Sequence, residues 1–292
     1  LLLSINYFLG GMVTSPEQLV LVRIFQGFAA GLWPMDLAIM TLYAPPERLG
    51  FALGIMQGTL TAGGIIGPLL GGLLSEAFGM RTSFYIGSLA LLMNFLAFTF
   101  IIKEPPLPKD AAPLSQEDMN PSHLWRIPIL RTMMIVSSLV QMVLYILISV
   151  ITTYIEALAG DMENIIFVAG AVFSLGGIAG AIAAPLWGTL GARRGYFVTM
   201  GLAMALAGVV LSAQGIPNTL LPFAVMQFVG GLFLAGVQPS LNAVIAQHTP
   251  PQLKGSVFGM LFSAQQVGGF SGPLLGGVVA TCFGMHYLFP AA

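Results

Sequence analysis

Residues 54–72 read GIMQGTLTAGGIIGPLLGG, seven glycines and one proline inside an otherwise apolar run. Glycine costs about 1 kcal/mol and proline about 3 kcal/mol in a helix interior, so the run needs a reason other than helix propensity. The pattern returns without a gap: residues 50–84 overlay residues 255–289 with fourteen of thirty-five positions identical. The register continues upstream, where Gly31, Pro34, Ala38, Pro45 and Pro46 match Gly236, Pro239, Ala243, Pro250 and Pro251. Parallel repeats of this kind belong to membrane folds whose two halves rock about a central site.

Composition places those repeats in a bilayer. The chain is 57% hydrophobic and 7% charged, with a mean hydropathy of +0.90, against roughly 25% charged residues in soluble domains. Apolar runs long enough for the ~20 helical residues that a hydrocarbon core requires fall at 19–43, 51–75, 82–102, 132–156, 164–188, 196–215, 219–247 and 256–280. The expected fold class is therefore an all-α polytopic membrane protein. The chain starts with LLLSINYFLGGM inside an apolar run and stops at HYLFPAA a few residues into another. With six spans per half, the first two helices, most of the third and most of the last are expected to be missing.

Arg48, Lys103, Lys109, Arg126, Arg131, Arg193, Arg194 and Lys254 fall on one side of the alternating spans, Arg81 on the other, and Arg23 inside a span. The positive-inside rule makes the first side cytoplasmic, in a cell membrane. The longest connection, KEPPLPKDAAPLSQEDMNPSHLWRIP, lies on that side and reads as a linker rich in proline and charge. The expected organisation is 1–102 as the remainder of an N-terminal half, 103–131 as linker and 132–292 as a C-terminal half. A net charge of −1 points to no nucleic-acid partner, and Cys282, the single cysteine, closes no internal disulfide.

The spacing Gly54-x8-Gly63-x3-Gly67-Pro68-x2-Gly71-Gly72 recurs at Gly259, Gly268, Gly272, Pro273, Gly276 and Gly277. It resembles the fifth-helix motif of the major facilitator superfamily, in its drug:proton antiporter branch of twelve-helix exporters. The preceding LVLVRIFQGFAAG is similar to the fourth-helix motif of that family, whose Arg, Gln and Gly are Arg23, Gln26 and Gly27 here. The loop GTLGARRG (188–195) resembles the family's G-x-x-x-D-R-x-G, with Ala192 where the acid belongs, which puts a charge-relay role for this copy in doubt. The resemblance implies the major facilitator fold, two pseudo-symmetric six-helix halves, and a monomer.

Small residues four apart give a helix a smooth groove for a neighbour in lipid. Gly63, Gly67 and Gly71 share one face, as do Gly268, Gly272 and Gly276, and Gly176, Gly180 and Ala184 of span 164–188 offer a partner face. Pro68 and Pro273 are expected to kink their helices. Generic packing and a dedicated moving interface both fit this pattern.

A charge near mid-membrane costs about 2.5–3.5 kcal/mol on insertion scales, which makes each one a candidate for function. Arg23 and Asp36 are the proton-coupling candidates. Thirteen residues apart on one helix, they are separated by about 20 Å of rise and about 220° of rotation, so Arg23 is expected to seek an acceptor on another helix. Each has a plainer reading as well, Arg23 as a snorkelled structural residue and Asp36 as a hydrated one. Span 132–156 carries a stripe of Ser138, Gln141, Tyr145, Ser149, Thr152 and Glu156, polar on one face at helical period. Span 219–247 does likewise with Gln227, Gly231, Gln238 and Asn242, and Gln265 and Gln266 add amides on 256–280. With Gln26, the residues Gln141, Tyr145, Ser149, Thr152, Gln227, Gln238 and Asn242 are the candidates to line a substrate cavity, with interhelical hydrogen bonding as the alternative. Trp33, Met35, Phe228 and Phe262 could supply a pliable apolar wall.

The resulting expectation is a secondary transporter that exports small lipophilic or cationic drugs in exchange for protons by alternating access. A proton-coupled symporter importing a nutrient or metabolite is the alternative. No cofactor or metal is expected. His123, His248 and His286 lie in three separate loops, and the sequence contains neither H-E-x-x-H nor the phosphate-binding G-x-x-x-x-G-K-[ST], so neither a membrane enzyme nor an ATP-driven motor is expected.

Overall fold

The computed structural model describes residues 1–29, 31–101, 121–159, 165–217 and 219–283. These form α1 (Leu2–Met12), α2 (Pro16–Ala29), α3 (Leu32–Tyr43), α4 (Leu49–Phe78), α5 (Met80–Ile101), α6 (Pro121–Arg126), α7 (Pro128–Ala159), α8 (Ile165–Arg194), α9 (Tyr196–Ala213), α10 (Leu220–Leu234), α11 (Val237–Gln247) and α12 (Lys254–Phe283). Among the described residues there is no strand. Six segments are long and apolar enough to cross a membrane: Pro46–Phe78, Met80–Ile101, Pro128–Ile148, Gly170–Arg194, Tyr196–Ala213 and Leu220–Gln247. Most of the linker 103–131 lies outside the described residues.

The repeat extends to the backbone. The starts of α3, α4 and the short 3-10 turn Pro46–Arg48 recur 205 residues later at α11, α12 and Pro251–Leu253. The reason is local. Each 3-10 turn follows a proline with φ near −60° (Pro45 at −58°, Pro250 at −55°) and carries another at its first position, where the missing N–H costs nothing. The next helix begins directly after it.

Spans 19–43 and 219–247 are each broken in the middle, which the sequence reading did not anticipate. The first splits between Ala29 and Leu32 with Gly31 as the cap of α3, and the second between Leu234 and Val237 with Gly236 as the cap of α11. Pro34 and Pro239 occupy the third position of the new helices. A proline there cannot donate to the carbonyl four residues back, but it sits comfortably in a first turn. By contrast, α4 and α12 run as unbroken 30-residue helices through Pro68 and Pro273. The breaks fall where a capping glycine precedes the proline by three residues, Gly31 before Pro34 and Gly236 before Pro239, and not where the two are adjacent as in Gly67-Pro68 and Gly272-Pro273.

Two helix pairs reverse direction across a single residue. Gly79 (φ 84°) joins α4 to α5 and Gly195 (φ 93°) joins α8 to α9, backbone conformations that side chains with a Cβ rarely adopt.

Burial is concentrated at the end of the bundle that carries Arg48, Arg194 and Lys254. There Leu37 (α3), Leu53 (α4), Met134 (α7), Leu241 (α11) and Phe258 (α12) form one apolar core. Helix α11 lies at its centre, with Leu241, Ala243 and Ile245 fully shielded. A smaller cluster at the other end joins Tyr154 and Ile155 of α7 to Val172 of α8 and Phe223 of α10. Large apolar side chains such as Phe28, Phe100, Phe270 and Leu221 remain outside, each at least 75% exposed, as a lipid-facing surface requires.

Close backbone approach joins the helices through some of the motif glycines, Gly54 in α4 and Gly268 and Gly272 in α12, and in α4 also through Gly50 and Gly58, which lie outside the motif. Helix α4 meets α8 along Gly50, Gly54 and Gly58, against Gly188, Ala184 and Ala181. The expected partner residues divide: Ala184 faces Gly54, whereas Gly176 lies against Gly231 of α10. Helix α12 meets α7 through Gly268 and Gly272, against Ser138 and Met142. Trp187 of α8 anchors the α8–α10 pair by donating its indole N–H to the Leu232 carbonyl at 2.7 Å.

Candidate transport cavity

Helices α1, α3, α4 and α5 line an open cavity of about 1720 Å³. Its wall is mostly apolar and aromatic, with Trp33 and Met35 from α3, Ile55 and Leu60 from α4, and Leu91, Phe95 and Phe98 from α5. The polar exceptions are Ser4, Asp36, Tyr43, Thr59, Asn94 and Thr99. Among the described lining residues Asp36 is the one acidic side chain, and none is Lys, Arg or His. An apolar wall with a few fixed polar groups is the usual build of a small-molecule site.

Asp36 reaches the cavity because of the break in its span. Gly31 caps α3, so Asp36 stands in the first turn and a half of a new helix. Its neighbours Leu37 and Ala38 turn into the core while Asp36 itself stays half-buried. Gly63 and Gly64 of α4 also line the cavity, and a Cβ on either would meet nothing within 4 Å. The same holds for Gly67, Gly71 and Gly72.

The other candidate residues are distributed differently. Among the described residues Arg23 donates to Gln26 Oε1 at 2.7 Å, on its own helix. Residues three apart share a helix face, and this pair is out on the exposed side of α2. Tyr145 packs its ring beside Gly269 of α12, and Gln141 is half-buried on α7. The side chains of Pro68, Ser149 and Thr152 lie outside the described residues.

Gln227 accepts a hydrogen bond from Gln214 Nε2 at 2.9 Å. Gln238 accepts one from Gln265 Nε2 at 3.3 Å, and the same amide donates to Ser137 Oγ at 2.8 Å. Asn242 is 3% exposed, and its Oδ1 has no hydrogen-bond partner among the described residues. Gln227 of α10 and Gln238 of α11 thus bond to residues outside their own helices. Of the site candidates whose side chains are described, Asp36 and Gly63 line the cavity, together with Trp33 and Met35. Thr59 and Asn94 were missed, although Asn94 carried a signal as an amide alone in the middle of the run 82–102.

A polytopic helical bundle built from two parallel repeats, each with a span broken at its middle, defines a membrane transporter. The sequence profile of the Major Facilitator Superfamily matches residues 1–211 and again 165–291, and the chain belongs to that superfamily. Its members are transporters, not enzymes. The chain is 30% identical over 290 residues to the MFS-type transporter YuxJ of Bacillus subtilis (strain 168), covering 98% of this chain and 74% of that protein. It is 27% identical over 292 residues to the multidrug resistance protein MdtG of Klebsiella pneumoniae (strain 342), covering 98% of this chain and 70% of that protein. Among solved structures, the human organic anion transporter MFSD10 superposes with a TM-score of 0.81 at 20% identity, over 99% of this chain and 71% of that one. This last likeness is one of fold.

Proposed function

We propose that this chain exports small lipophilic cations in exchange for protons. The observation that carries the reading is Asp36, the one acidic side chain among the described residues of an otherwise apolar and aromatic cavity. In such surroundings a carboxylate attracts a cation strongly, and an adjacent aromatic face such as Trp33 adds a cation–π contribution. A proton and a cationic drug compete for that one carboxylate, which couples their movements. The similarity to proteins named multidrug resistance protein MdtG and the paired glycine motif support export.

Alternating access supplies the cycle. The halves 1–102 and 132–292, joined by the linker 103–131, rock so that the cavity opens to one side and then to the other. The basic loops face the cytoplasm, the membrane is the plasma membrane, and the monomer is the working unit.

The test uses the protein in proteoliposomes with an imposed pH gradient and a fluorescent lipophilic cation. Wild type transports only with the gradient, Asp36→Asn loses at least tenfold in initial rate, and Arg23→Ala loses less. Transport independent of the gradient overturns proton exchange. An unchanged rate for Asp36→Asn removes that residue from the site.

A further inference from the structure

Both ends of the turn between α3 and α4 are held by side chains from the other half of the molecule. At the end of α3, the carbonyl of Thr41 would ordinarily accept from the residue four positions on. That residue is Pro45, which has no N–H. Lys254, the first residue of α12, donates its ammonium to this carbonyl at 2.8 Å, and its side chain is 8% exposed. At the start of α4, the N–H of Gly50 has no partner within its own helix. It donates instead to the phenolic oxygen of Tyr196 in α9, at 3.0 Å.

The charges suit the helix ends. A cation sits at the C-terminus of α3 and an oxygen acceptor at the N-terminus of α4, as the helix dipoles favour. The loop resembling G-x-x-x-D-R-x-G makes the room: Gly188 lies against the Gly50 backbone, and a Cβ on Gly191 would strike the Tyr196 ring. That loop has Ala192 in place of the acid, and the acceptor beside it is a neutral phenol. The repeat does not duplicate the arrangement, since the position 205 residues before Lys254 is Leu49, a buried apolar residue.

The geometry points to Lys254 and Tyr196 as a two-point clamp that holds the basic end of the two halves closed and must release when that end opens. Both contacts cross between the halves, and both satisfy backbone groups that the chain itself leaves unpaired. Opening exchanges each contact for water, so the clamp biases the closed form without fixing it. The clamp rests on the alternating-access reading, but it requires neither the drug nor the proton.

The experiment measures the acylation rate of Lys254 by a water-soluble amine reagent on the protein in nanodiscs, read by peptide mass spectrometry and normalised to the rate at the same lysine in detergent-denatured protein. In wild type the folded protein reacts at Lys254 at least tenfold more slowly than the denatured protein. Tyr196→Phe keeps the ring but removes the acceptor, and raises the Lys254 rate about threefold to tenfold, the size of one lost hydrogen bond. Equal Lys254 rates in folded and denatured wild type, or an unchanged folded-state rate in Tyr196→Phe, overturn the clamp. Spin labels at Glu47→Cys and Gln247→Cys, in a Cys282→Ser background, give a readout independent of the lysine. A longer-distance population that grows in Tyr196→Phe supports the clamp, and an unchanged distribution overturns it. Failed efflux in the Asp36→Asn experiment leaves both readouts unaffected, so the two readings fail separately.

Discussion

Helices α4 and α12 have the same spacing of glycine and proline, yet they use opposite ends of it. In α4 the contacts lie early, where Gly54 sits against Ala184 and Pro185, and the later Gly63 and Gly67 have no neighbour within 4 Å. In α12 the early Gly259 has no neighbour within 4 Å, and Gly268 and Gly272 press on the backbone of α7. A spacing of small residues therefore specifies a smooth face and leaves the choice of contacting glycine to the neighbour that lies alongside. The packed ends build the bundle, and the open end of α4 borders the cavity.

That contrast breaks most sharply at Gly54. A Cβ there would lie 2.5 Å from the Ala184 carbonyl oxygen and 2.7 Å from Pro185 Cα, both backbone atoms. Gly54→Leu is expected to cost at least about 3 kcal/mol, the upper end of overpacking penalties, and to abolish monodisperse protein on size exclusion. Gly54→Leu protein that stays folded would refute the close α4–α8 approach. Next comes the register pair Gly272 and Gly67. At Gly272 a Cβ would meet Met142 O at 2.6 Å and Tyr145 Cβ at 2.9 Å, so Gly272→Ala should lose about 1–3 kcal/mol and melt at a visibly lower temperature. An equal loss in Gly67→Ala would erase the difference between the two copies.

A smaller effect is expected at Gln265, whose amide ties α12 to Ser137 and Gln238. Gln265→Leu should cost about 1 kcal/mol, as interhelical hydrogen bonds in membranes do, measured by thermal unfolding in detergent. The smallest effects are at Gly67→Ala and Gly259→Ala. Each should stay within about 0.5 kcal/mol of wild type or gain slightly from helix propensity, and proteoliposome transport by Gly259→Ala should be unchanged.

Much of this architecture was legible in the chain. Among the described residues six of the eight expected spans are long and apolar enough to cross, 19–43 and 256–280 being the exceptions, and the repeat register follows from matched glycines and prolines, which are properties of residue order. The site was less legible. For Gln227, Gln238 and Asn242 the sequence leaves two expectations open, lining a cavity or bonding to another helix, because an amide within a span satisfies the same physics either way. Gln214 and Gln265 bond to the first two, and nothing in the spacing reveals it. Arg23 bonds to Gln26 on its own helix, a pairing that the three-residue gap allows. The breaks at Gly31 and Gly236 were written as glycine–proline pairs in register, but their meaning emerged only with the backbone.

By itself the sequence determined that this is a polytopic bundle of two repeats with Asp36 in an apolar run, because hydropathy, helical period and repeat register are carried along one chain. The tertiary structure decided which glycines touch, which amides pair, and that Asp36 shares a cavity with Trp33, Thr59 and Asn94. It also decided that Lys254 and Tyr196 meet the ends of a turn some 150 to 210 residues away in the chain. Such contacts depend on which helix lies beside which, and close packing in a bilayer is selected by the shape of the partner surface, which no single helix encodes.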